Sequence, residues 1–443
     1  MTTSSPVAAP AAALPEEAGR GFRTYLTVWA GQTVSETGSG LTSFALGVWV
    51  YQQTGSITLF AGILVFTALP IILLLPIVGS VVDRYDRRML MIAADTAGVL
   101  STLSIALLAG AGRLELWHVY VAVAWSAACA SVQRAAWSSS IALLVPREQL
   151  GRTAGLTQLG QGAAMLLAPL LGGALLVTVG LRGAVLLDAA TFLVGAGATA
   201  LARIPRPPAR PRGPNYGFRH AIAEGWRFTL SRPGLLQITL FLGVVNLSLG
   251  FLQALLTPMV LSFTTADRLG VAASAGAVGM VAGGVLMSAS GGPTRRVQGM
   301  VFGGAMMGVA LLAVGTRASV VSVAAALGLC YFAFTLGGAC STALLQATVP
   351  PEMQGRVFTT LRMIAWTASP IAYATAGPLV ASSFLPLSAR IGDGSAGWWA
   401  HAGSGPALLL ASVGVLVLAA TVALHLSAPV RGLDDEAGTV ASR

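Results

Sequence analysis

The sequence predicts an all-α integral membrane protein: twelve transmembrane helices in two six-helix, pseudo-symmetric halves. Three observations carry that expectation. The 443-residue chain is 55% hydrophobic and only 9% charged, where soluble domains carry about 25% charged residues. Apolar runs of the ~20 residues needed to cross hydrocarbon recur twelve times along it. A loop motif ahead of the fifth run returns ahead of the eleventh.

The runs fall at 25–50, 57–81, 89–112, 117–144, 155–179 and 184–202, then at 234–262, 269–291, 298–316, 319–347, 357–383 and 406–427. Arginine placement orients them. All 26 basic residues are arginine. With both termini on the cytoplasmic side, 19 lie in inner segments, five in outer loops (Arg113, Arg182, Arg268, Arg317, Arg390), and Arg134 and Arg362 within spans. Such asymmetry sets orientation. Trp49, Trp117, Trp398 and Trp399 then mark the outer interface. The net charge of +10 is therefore a topology signal, and no nucleic-acid partner is expected.

Five segments follow. Residues 1–22 are Ala/Pro-rich, carry Glu16 and Glu17 and lack an apolar core, which predicts a disordered cytoplasmic tail without a cleavable signal. Residues 23–202 are the first half. Residues 203–233 form a basic linker, proline-rich from Arg203 to Arg212 and then amphipathic from Phe218 to Phe228, as a helix lying on the inner leaflet would be. Residues 234–428 are the second half, and 429–443 a cytoplasmic C-terminal tail. Val145-Pro146-Arg147-Glu148-Gln149-Leu150-Gly151-Arg152 aligns with Val349-Pro350-Pro351-Glu352-Met353-Gln354-Gly355-Arg356, and Gly173 aligns with Gly377 at the same offset. Two parallel repeats of this kind are a transporter architecture.

Between the second and third spans stands Gly79-Ser80-Val81-Val82-Asp83-Arg84-Tyr85-Asp86-Arg87-Arg88. A glycine four residues before an acid lets one helix end press against another. The acid can then cap that neighbour while arginines hold the loop inside. This spacing resembles the signature loop of the major facilitator superfamily of secondary transporters, with Asp86 where that family usually has glycine. Gly38-Ser39-Gly40-Leu41-Thr42-Ser43-Phe44-Ala45-Leu46-Gly47-Val48-Trp49 and the 144–152 stretch look closest to its branch of enterobactin exporters and macrolide efflux proteins. The resemblance covers residues 22–430.

It implies the major facilitator fold, a central cavity and alternating access. It also implies export of an amphiphilic drug, antibiotic, siderophore or similar metabolite across a bacterial inner membrane, against protons. By the same resemblance Gly79, Asp83, Arg84, Arg87, Arg88 and Arg362 form a conformational latch, with Asp83 contacting the start of the eleventh span. The matching loop of the second half, Gly283-Gly284 to Arg295-Arg296, keeps glycine and arginine without an acid, so the latch is asymmetric. In the fifth span Gly155, Pro169, Gly172 and Gly173 partly match the helix motif of exporters; tight helix packing explains the same residues.

Charges inside spans cost about 2.5–3.5 kcal/mol each on insertion scales. Glu36 sits roughly 17 Å into the first span at ~1.5 Å per residue, close to the midplane. Burial favours a neutral carboxyl there, which suits a proton carrier, and Arg134 is its candidate partner; an internal ion pair or substrate contact is the plainer reading. Asp95 and Asp188 read as structural, Asp95 pairing with loop arginines and Asp188 lying near the outer interface. Gln32, Thr33, Gln158, Gln161, Asn246, Gln253 and Tyr373 are the polar candidates for an otherwise apolar substrate cavity.

No phosphate-binding loop and no nucleophile–base pairing point to an enzyme. The four histidines and three cysteines lack metal-ligand spacing, so neither metal nor cofactor is expected and the proton gradient is the energy source. Partners are then an amphiphilic substrate, protons and lipid, with a monomer as the expected state. An importer of a small metabolite, a lipid flippase or a non-transporting membrane sensor fit the same fold class.

Overall fold

The computed structural model describes residues 15–146, 149–205, 218–293, 295–316, 318–392 and 404–441. The first half is α1 (Pro15–Thr54), α2 (Ile57–Arg84), α3 (Arg87–Gly110), α4 (Leu116–Leu144), α5 (Leu150–Thr178) and α6 (Gly180–Leu201). A short helix, α7 (Phe218–Ser231), precedes the second half. That half is α8 (Pro233–Leu261), α9 (Ala266–Ser290), α10 (Arg296–Val314), α11 (Val320–Thr348) and α12 (Pro351–Leu379), a π turn at Val380–Phe384, α13 (Leu385–Gly392) and α14 (Ser404–Leu426). The helix α15 (Ala428–Ala441) follows. The twelve long helices stand at the twelve apolar runs, and no strand occurs among the described residues.

Ten of them are long and apolar enough to cross a membrane. The two that fall short on composition are α1 and α4, which carry Glu36 and Arg134 of the cavity described below. α1 also begins earlier than expected: Pro15–Arg20 and the residues after them are helical, so only residues 1–14 of the anticipated tail remain outside the described chain. The amphipathic segment of the linker is helical as α7 and packs on α12 and α8.

Local sequence explains the joints. Ser56 caps α2 by accepting from the Leu59 N–H at 3.3 Å. Between α5 and α6 the chain reverses through Val179 and Gly180 alone, and Gly180 takes φ +68°, a left-handed turn that glycine adopts without strain. Asp86 starts α3: its carboxylate accepts from the N–H groups of Arg88 at 2.9 Å and Met89 at 3.3 Å. The residue that departs from the family loop is thus a helix cap.

The packing inside each half repeats. In the first, α1 lies on α5 and α6, α3 on α4 and α6, and α2 on α4. In the second, α8 lies on α12 and α14, α10 on α11 and α14, and α9 on α11. Every pair has its counterpart, which is the internal repeat written in contacts.

The halves meet along α5–α9 and α2–α12, and glycines show where. A Cβ added at Gly173 would lie 3.1 Å from the Asp267 Cα, and one at Gly270 would lie 3.1 Å from the Pro169 carbonyl carbon. One at Gly377 would lie 2.6 Å from the Thr58 Cα. Ser274 adds a hydrogen bond to the Leu166 carbonyl at 2.7 Å. At the other end of these helices Gly79 on α2, Gly155 on α5 and Gly284 on α9 each have no neighbouring atom within 4 Å. The halves are in close backbone contact at the Thr58–Gly377 end, while an added Cβ at these three glycines of the other end would meet nothing.

Candidate functional site

The first half is hollow. A cavity of about 450 Å³ opens among α1 to α6, and every residue lining it belongs to that half. Its apolar wall includes Leu46, Ile71, Ile105, Val123 and Phe192; its polar wall holds Glu36, Asp95, Asp188 and Arg134. The cavity divides the apolar packing of the half in two. One cluster, around Leu41, Leu46, Ile105 and Val185, lies towards the closed end. The other, around Tyr25, Met91, Trp137 and Leu144, lies towards the Gly79 end.

Three carboxylates share this space, in three different settings. Asp188 is 2% exposed on α6 and faces hydroxyls. Ser39 and Thr191 each donate to its Oδ1 at 3.4 Å, with Thr42 and Thr102 beside it. Small residues on α1 make that possible: a Cβ at Gly38 would sit 2.8 Å from the Asp188 Oδ1, and Gly195 of α6 packs against Ser35. Asp95 is 3% exposed on α3 and accepts from Gln32 Nε2 at 2.9 Å, a group that also donates to Thr199 at 3.2 Å. Glu36 is half-buried on α1, and the Arg134 guanidinium of α4 acts on it electrostatically without an ion pair between them.

The structure gives the two aspartates partners other than those the sequence suggested. Asp188 lies at the cavity wall. Asp95 binds Gln32, while the loop arginines bind carbonyls at helix ends. Arg87 donates to Ser139 at 2.7 Å, and Arg88 donates to Thr199 at 3.3 Å and also to Ala200. These cations tie α4, at Ser139, and the last turn of α6 to the start of α3; the C-terminal end of α6 favours positive charge. A signal for the cavity was present in the sequence: α1 carries Ser35, Thr37, Ser39, Thr42 and Ser43 around Glu36, far more hydroxyls than a lipid-facing helix needs.

The other candidates separate. Gln161 lines the cavity with Gln32, whereas Gln158 does not. Thr33 bonds its own helix at Trp29. Asn246 likewise turns back to Leu242 at 2.9 Å, and its carbonyl receives Ser369 from α12 at 3.1 Å, so it joins helices. Tyr373 donates to Gln253 Oε1 at 2.8 Å, a polar pair in the second half on α12 and α8. In the exporter-like motif, Gly172 packs on Phe44 and Gly173 and Pro169 on α9, while Gly155 packs on nothing. Arg84 is exposed. The side chains of Asp83 and Arg362 lie outside the described residues, so their pairing in the latch is not part of this picture. Among the described residues no cluster of His, Cys, Asp and Glu could hold a metal ion.

Relatives agree with this architecture. The chain is 26% identical over 364 residues to macrolide efflux protein A of Streptococcus pyogenes, covering 78% of this chain and 87% of that one. It is 27% identical over 226 residues to the enterobactin exporter EntS of Shigella boydii serotype 4, covering 51% and 53%. Its fold superposes with a TM-score of 0.70 on a bacterial homolog of the human lysosomal transporter Spinster, at 15% identity over 95% of this chain and 98% of that one. The family model of the Major Facilitator Superfamily matches residues 28–374. With the repeated six-helix halves and the membrane-spanning helices, that match makes this chain a transporter of the Major Facilitator Superfamily.

Proposed function

We propose that the protein exports amphiphilic organic molecules in exchange for protons, by alternating access. The observation that carries this is the hollow first half. An ionisable group inside a membrane is expensive and marks a substrate, ion or proton pathway; here three carboxylates and one arginine line a single cavity. Glu36 is the group best placed to trade its proton for substrate: it is half-buried, it faces the cavity, and it shares that cavity with the Arg134 guanidinium. The mostly apolar remainder of the wall suits a solute with a large hydrocarbon surface. The direction is supported by the named activities of the macrolide and enterobactin relatives.

With the arginine-rich segments in the cytoplasm, the Gly79 end opens inward and the Thr58–Gly377 end is the closed outer gate. Loading then occurs from the cytoplasm. Asp83 and Arg362 would close the inner end once the halves rock, and transport weakens without loss of expression in Asp83→Asn.

The test uses inside-out vesicles energised to an acidic interior, with a pH-sensitive dye. Macrolides, siderophores and hydrophobic peptides are added in turn. Substrate-dependent release of interior protons by wild type, absent in Glu36→Gln, is the expected result. Accumulation that proceeds equally well without a proton gradient contradicts it.

A further inference from the structure

The two halves begin their third helices differently. α3 is capped by its own chain: Asp86 precedes it and accepts from Arg88 and Met89. The counterpart α10 begins after Arg295, and that side chain caps nothing. A guanidinium has donors only, and the unpaired N–H groups of a first turn need an acceptor. The acceptor arrives from 137 residues further along: both carboxylate oxygens of Asp434, on α15, receive the Val297 N–H at 3.2 Å. Val297 stands two residues past the cap position, as Arg88 does past Asp86. The same amide is satisfied by an acid in both halves, from the loop in one and from the C-terminal helix in the other.

α15 is fixed firmly enough to do this. Val430 and Leu433 are 0% and 6% exposed in the apolar core of the second half, and the helix packs on α8, α10 and α11. Gly234, at the start of α8, leaves room for it: a Cβ there would lie 2.7 Å from the Pro429 carbonyl oxygen. Ser427 donates to Gln237 of α8 just ahead of it. Under the capped turn lies Cys340 of α11, 0% exposed, within the electrostatic reach of Arg296 and Asp434 and packed on Gly299.

We propose that Asp434 is the positioning residue that replaces the missing loop acid of the second half, and that α15 is a working part of that half and not a tail. It holds the first turn of α10 against α11. This inference is independent of what the protein carries and in which direction.

Cys340 reports on it. In a Cys129→Ala/Cys330→Ala background it is the single thiol. Asp434→Ala is expected to raise its maleimide labelling about fivefold, the usual loss when a capping acid becomes alanine. Arg295→Asp, added to that variant, puts a cap in the chain itself and returns labelling to the starting rate. A stop after Ser427 raises labelling at least as much, and Arg295→Asp lowers it again. Unchanged labelling in Asp434→Ala, or a rise that Arg295→Asp leaves in place, overturns the proposal. Should Asp434→Ala fail to fold, Arg295→Asp must restore the folded yield, and failure to do so overturns it equally.

Discussion

The two halves share one packing scheme and spend their interiors in opposite ways. In the second, buried apolar residues from α8 to α15 form one continuous cluster, which reaches Val48 and Ala61 of the first half at the closed end. Its fully buried polar side chains are hydroxyls such as Thr239, Ser248 and Thr421, each bonded to a carbonyl four residues back on its own helix. In the first, the apolar packing is broken into two clusters by a cavity, and the buried polar groups include Asp95 and Asp188. The same packing scheme thus encloses a continuous apolar core in the second half and a charged cavity in the first. On the proposed function, this asymmetry would place the proton chemistry in the first half.

That contrast is open to direct attack. The largest effect is expected at Glu36: Glu36→Gln removes proton-coupled transport altogether, while substrate equilibration down its own gradient persists. Next comes Gly38→Val, which drives a side chain into Asp188 and Thr191. Overpacking of a close seam costs about 1–3 kcal/mol, read as a lower midpoint of thermal unfolding, with transport falling further than stability alone explains. Asp188→Asn is expected to reduce transport roughly tenfold with normal expression, because in an intramembrane cluster an ionisable group serves function. The matched change in the second half, Ser248→Ala, loses only a bond within its own helix and should stay within about 0.5 kcal/mol of wild type. Tyr373→Phe is also expected to be mild: it frees Gln253 of one hydrogen bond worth about 1 kcal/mol, substrate affinity shifts a few-fold and coupling is unaffected. An Asp188→Asn protein that transports normally beside a Ser248→Ala protein that does not would reverse the assignment of roles.

Most of the fold was legible because hydrocarbon imposes a length and a polarity on each span, and the Pro-Glu-Gly-Arg repeat exposes the duplication. The polar interior was only partly so. Glu36 stands near the middle of its span, where depth alone marks it. Asp188 follows shortly after the start of α6 and reads from sequence as an interface residue; only the Gly180 turn and the packing of Gly38 and Gly195 show that it faces α1. Asp95 lies a few residues from Arg88, and proximity in sequence suggested an ion pair. In three dimensions Arg88 bonds the end of α6, and Gln32 reaches Asp95 from α1. Asp434 was illegible for the same reason: a cap supplied across 137 residues leaves no local spacing to read.

The most direct measurement is proton release from purified protein in weakly buffered detergent solution. A substrate identified in the vesicle assay is added and the pH change followed. Wild type should release protons on binding, Tyr373→Phe should release as many per bound substrate, and Glu36→Gln should release none while still binding. Release of protons from Glu36→Gln in wild-type amount would contradict the assignment of the exchangeable proton to the hollow first half at Glu36.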